Sequence, residues 1–261
     1  MRCRKGLAVL VASALFAGGC ADNKDTGAAG GGVTPGPSRS VSAGEQLAAA
    51  AAKSGSGSYH FAVSDPAIDG GVEGAADPAT QTMTGKMTLR LDADTTMTIE
   101  SLTVAGTFYL KITGLPLPVD LSKYWFRADP ARLGSEFTTL DAKDPAGLNA
   151  LVKGATAVQN VDGTLFTGTL DITQDTSGML YDADMVKELG DKAKAVPFAA
   201  SIDQQGYLNS IKLSLPAYGT EPASETTITL SDFGRPVPAT APTGDQVRDL
   251  PDSAYKALNG G

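Results

Sequence analysis

From Tyr59 onward, bulky apolar residues alternate with polar ones over short runs. Tyr59, Phe61 and Val63 share one face of a strand, with His60 on the other. Met83, Met87, Leu89 and Leu91 alternate with Thr84, Lys86, Thr88 and Arg90, and Met97 and Ile99 with Thr96, Thr98 and Glu100. Phe108, Leu110 and Ile112 alternate with Tyr109, Lys111 and Thr113. A period of two with threonine and charge on the second face predicts an antiparallel sheet with one solvated face. The spacing predicts turns at Asp92–Thr95, Ala105-Gly106 and Gln204–Tyr207. Further strands are expected over Lys123–Ala128, Thr164–Thr173, Val196–Asp203, Leu208–Leu215 and Glu225–Ser231. Residues 64–81 look like an insertion between the first two strands.

Helical signals are few. Ser42 and Glu45 have capping-box spacing ahead of an alanine-rich helix that runs through Leu47–Lys53. Asp144–Val152 and Asp182–Lys194 predict two more short helices, and Asp252–Leu258 a terminal one. The Pro-rich segment 236–251 is expected to lie along the body. Nine or ten strands with so little helix indicate an α+β fold built on one large antiparallel sheet. The helices supply few bulky residues to cover it, so either the sheet curls on itself or an apolar space remains beneath them.

Residues 1–19 read as an export signal: Arg2, Arg4 and Lys5 precede the apolar run Leu7–Ala17, and Gly18-Gly19 lead to Cys20. That run is shorter than the ~20 residues a spanning helix needs. Ala-Gly-Gly-Cys at 17–20 resembles a bacterial lipobox, in which Cys20 receives a diacylglyceryl group. Residues 21–41 contain almost no bulky apolar side chain and read as a tether. The expected order is thus signal peptide 1–19, lipidated Cys20 and tether to residue 41, then one domain over 42–261. It places the protein outside the cell, held at the outer face of the membrane. Removing residues 1–19 takes away three basic residues and no acid, which moves the net charge from −8 to −11. Such acidity opposes nucleic-acid binding.

Chemistry is sparse. His60 is the only histidine, so a multi-histidine metal site cannot be built; alternation sets it opposite Tyr59 and Phe61 as a strand histidine, and no G-x-S-x-G elbow supplies a nucleophile for it. With Cys3 and Cys20 outside the domain, it has no thiol nucleophile and no disulfide. Asp92-Ala-Asp94 lacks the remaining positions of a calcium loop. No enzyme activity, cofactor or metal is expected. The triplet Tyr124-Trp125-Phe126 is the densest aromatic cluster and fits a strand core.

Several short pieces in order resemble one family. After the lipobox and first helix come Phe108-Tyr-Leu110, Lys123-Tyr-Trp-Phe126 and Asp144-Pro…Gly147-Leu148. Val161–Asp171, Val196–Asp203 with Gly206, Ile228–Val237 and Ala241-Pro…Val247 complete the order. It resembles that of the actinobacterial envelope lipoproteins of the LppX/LprAFG superfamily, which are similar in fold to the lipoprotein carrier LolA. The resemblance covers nearly the whole chain after Cys20. It implies a curved antiparallel half-barrel with short helices over the concave face, an apolar cavity between them, and binding or shuttling of acylated lipids or lipoglycans without catalysis. The side chains expected to line that space are Met87, Leu89, Leu91, Met97, Ile99, Phe108, Leu110, Phe126, Phe166, Leu170, Phe198 and Ile202. An envelope transporter is a candidate partner. The second reading is an envelope interaction module with a filled core, serving a transporter or sensor.

Overall fold

The computed structural model of the chain describes residues 41–65, 70–90, 93–114, 119–133, 147–174 and 183–259. The signal sequence, Cys20, the tether up to residue 40, Leu91, Asp92 and Asp144 lie outside the described residues. The folded unit begins at Val41.

Among the described residues one open sheet of twelve strands carries the fold. The first six are β1 Tyr59–Ser64, β2 Gly70–Asp77, β3 Thr82–Arg90, β4 Thr96–Val104, β5 Thr107–Thr113 and β6 Trp125–Ala128. The next five are β7 Ala155–Asn160, β8 Leu165–Leu170, β9 Val196–Ile202, β10 Leu208–Leu215 and β11 Ser224–Ser231, and β12 Val247–Asp249 is the last. The strand order is β12-β6-β5-β4-β3-β2-β1-β11-β10-β9-β8-β7. Two antiparallel meanders, β1–β6 and β7–β11, are joined by the pairing of β1 with β11. Only β12 runs parallel to its neighbour, β6. The α-helices among the described residues are α1 Ala43–Ser54, α2 Leu148–Lys153, α3 Ala183–Leu189 and α4 Asp252–Leu258.

Ser42 starts α1 as the spacing predicts. Glu45 N–H donates to Ser42 Oγ (3.2 Å) and Ser42 N–H to Glu45 Oε2 (2.7 Å), which satisfies two donors that a helix end leaves open. Leu47, Ala50, Ala51 and Ser54 form its buried side. Ser54 Oγ sits 3.0 Å from Ala50 O and 3.1 Å from Leu208 O, linking the end of the helix to β10. At the other end of the sheet, Ala254, Tyr255 and Leu258 of α4 are buried, and Tyr255 Oη accepts the Asp129 N–H at 2.7 Å.

The structure departs from the sequence pattern at three strands and at two strand ends. Residues 70–77, within the expected insertion, form a strand that the pattern does not announce: β2, paired with β1 and β3. Its glycines and alanines hide the alternation, because small side chains leave room for Phe61: a Cβ on Gly74 would stand 2.5 Å from Phe61 Cζ. β7 is an additional strand, Ala155–Asn160, a largely exposed edge with an irregularity between Thr156 and Gln159 that blurs its pattern. β12 emerges from the Pro-rich segment by pairing with a strand about 120 residues earlier, a contact no local pattern announces. Lys123 and Tyr124 lie ahead of β6, and the strand expected to reach Thr173 ends at Leu170, with a 3-10 turn at Ile172–Gln174.

Candidate functional site

Register places the inward side chains in rows that cross the sheet. One row reads Phe166, Ala200, Ile211, Ile228, Val63, Val72, Met87, Ile99, Ile112 across nine consecutive strands from β8 to β5. Every member is apolar and none is titratable. At about 4.8 Å per strand the row is roughly 38 Å long. The neighbouring row, Leu230, Phe61, Gly74, Gly85, Ser101, Leu110 and Phe126, thins to small residues over β2, β3 and β4.

The helices gather this face into two apolar clusters. The first holds Leu47, Phe61, Phe166, Leu170, Phe198 and Leu213 under α1, with Leu148 of α2 and Leu189 of α3, and Ile202 packs against it. The second holds Ile99, Phe108, Leu110 and Phe126 with Leu250 and Tyr255, and Met87 and Met97 pack against it. Val72 belongs to the edge of the first cluster and Met87 to the edge of the second, and the two residues face each other across β2 and β3. Beside them Leu89 lies opposite Met97, and all four are only half-buried.

Eleven of the twelve side chains expected to line an apolar space are therefore on one face of one sheet; Leu91 lies outside the described residues. Ten of them belong to or pack against one of the two clusters, and Leu89 belongs to neither. Beneath α1 the gap between Leu47, Val152, Phe198 and Leu213 amounts to about 10 Å³, about the least that a single water needs. The larger residues Val63, Val72, Ile112, Ile211 and Ile228, together with Ala200, complete the nine-strand row without having been among the expected lining residues. Strand alternation marks four of them as inward, but their alignment is set by register, and β2, which carries Val72, has no alternation to reveal it.

His60 is exposed on the opposite face, as alternation predicts, and Trp125 is on that face too, while Phe126 enters the second cluster. Tyr124 meets Phe126 edge to face at 6.4 Å. Among the described residues no group of three or more His, Cys, Asp and Glu side chains could hold a metal ion, and no helix is long and apolar enough to cross a membrane. The carboxylates with displaced pKa values sit at exposed turns and helix starts. Backbone N–H groups of Leu165 and Thr164 hold Asp162 below the ordinary range, and Ser42 does the same for Glu45. Asp252 is lowered by its hydrogen bond and charge pair with Arg132 at 2.6 Å.

No family model matches the chain, and no curated protein matches it significantly. Among solved structures it is similar to the LolA superfamily protein NE2245 from Nitrosomonas europaea, at 12% identity and a TM-score of 0.22, over 83% of this chain and 98% of that one.

Proposed function

We propose that the chain is an exported lipoprotein, anchored through a lipid on Cys20, that holds acyl chains of a second lipid along the inward face of its sheet and carries them at the cell envelope. The observation that supports this reading is the unbroken apolar row across nine strands, in which Val72 and Met87 are left half-buried where the two clusters meet. An acyl chain laid there covers apolar surface that the helices leave open. Each Å² removed from water contributes ~25 cal/mol before the cost of immobilising the ligand. In this reading the sheet is a curved half-barrel that wraps the chain, as in the envelope lipoproteins whose sequence pieces this chain resembles. Acidity outside and an apolar face inside favour holding a lipid by its chains.

A second reading has one observation in its favour. The gap under α1 is no larger than a water, as expected of an envelope interaction module with a filled core. Displacement of a fluorescent fatty acid separates the two. A carrier takes up the probe saturably and releases it to competing phospholipid; a filled module gives no saturable signal. The anchor is tested separately by Cys20→Ser, which should shift the exported protein from the membrane fraction to the soluble one and abolish incorporation of labelled palmitate.

A further inference from the structure

The outer face of the sheet carries a groove of its own. Segment 232–246 leaves β11 and reaches β12 at the far side of β6, so it must pass six strands. Pro238, Ala239 and Thr240 lie over the outer face of β1–β4, and between them and the sheet is a space of about 650 Å³, within the range of small-ligand sites. The roof is stiffened by three prolines and by a tight turn in which Ala239 N–H donates to Val237 O at 2.9 Å. Leu102 beneath it is only 6% exposed although it points away from the helix-covered core.

The floor has a definite chemistry. Register sets Glu73, Lys86 and Glu100 side by side on β2, β3 and β4, and the Lys86 Nζ to Glu73 Oε1 separation is 3.8 Å. Trp125 lines the same space from β6, and His60 from β1. Alternating charges at a half-exposed floor suit neither an acyl chain, which would strip water from carboxylates without replacing it, nor a polyanion, which the net charge repels. They suit a neutral ligand that offers hydroxyl donors and acceptors along one edge and an apolar C–H face on the other. We propose that this groove binds a neutral saccharide segment, with a ring on Trp125 and hydroxyls on Glu100, Lys86 and Glu73.

Trp125 is the only tryptophan of the chain, so its emission reports on this groove alone. Maltotriose, cellotriose and mannotriose, titrated in turn into the whole chain with glycerol as control, should give a saturable emission change with at least one trisaccharide and none with glycerol. Glu100→Gln should weaken that binding about tenfold, as loss of a hydrogen bond to a charged group implies, and Lys86→Gln should weaken it as well. Both substitutions are at solvent-accessible strand positions and should leave the circular dichroism spectrum unchanged. Calorimetry with Trp125→Phe tests the ring contact without the fluorescent reporter. Absence of a saturable change with all three sugars, a response equal to that of glycerol, or binding indifferent to both Glu100→Gln and Lys86→Gln overturns the proposal.

Discussion

The ring of Phe61 occupies the place that a side chain on Gly74 would need. A Cβ there would stand 2.5 Å from Phe61 Cζ and 2.2 Å from the backbone oxygen of Thr84. Gly74 pairs with Phe61 on one side and Gly85 on the other, so no side chain of β2 or β3 at this register competes with the Phe61 ring. Gly74→Ala must push either an aromatic ring or a strand backbone aside. It is expected to cost about 1–3 kcal/mol, as overpacking of a tight interior does, read as a lower urea midpoint. Alanine at Gly106, where nothing lies within 4 Å, tests backbone conformation without overpacking.

The hairpin between β4 and β5 turns on Ala105 and Gly106, both with positive φ (49° and 76°). A two-residue turn of this kind matches the twist of the strands but strains an alanine. Ala105→Asn removes the mismatch and is expected to stabilise the domain by about 0.5–1 kcal/mol, seen as a higher Tm with unchanged circular dichroism.

Stability should fall on the acid side. Glu45, Asp120, Asp162, Asp191 and Asp252 are all held below their ordinary pKa values, by hydrogen bonds from Ser42, Ser122, Leu165, Lys194 and Arg132 respectively as the largest cause. A carboxylate with a depressed folded-state pKa contributes stability that is fully present above the unfolded value and is lost as pH falls through the folded one. Urea midpoints should thus hold steady from neutrality down to the ordinary carboxylate range and decline below it. Ser42→Ala should flatten part of that decline, and loss of the helix cap should lower stability at neutral pH by about 1 kcal/mol.

Much of this was legible in the chain. The capping box of α1 and the alternation of β1, β3, β4 and β5 are local, and both folded as the pattern implies. β2 was not legible: Gly70, Gly71, Gly74, Ala75 and Ala76 provide no bulky residue to alternate, and their smallness has meaning only beside Phe61. The inward face of the candidate site followed from alternation, since Met87, Ile99 and Leu110 needed only the period of two. The row itself did not follow. Val72 beside Met87, and Ile228 beside Val63, are fixed by register between strands as much as 165 residues apart.

If the junction of the two clusters is where an acyl chain rests, Met87 matters more to ligand than to fold. Met87→Gln keeps the length of the side chain and puts an amide in the apolar row. Affinity for a fluorescent fatty acid should fall about tenfold, the effect of a poorly satisfied polar group of about 1–2 kcal/mol. Thr88→Gln, one residue along and on the outer face, should leave it unchanged.

The central claim is that the inward face of this sheet holds lipid. The most direct measurement is lipid mass spectrometry of the protein purified from an envelope-bearing host and extracted with organic solvent, with Met87→Gln prepared in parallel. One acylated lipid per protein beyond the anchor, depleted in the variant, is the predicted result. Protein that is repeatedly empty, or that carries the same lipid with and without Met87, would contradict it.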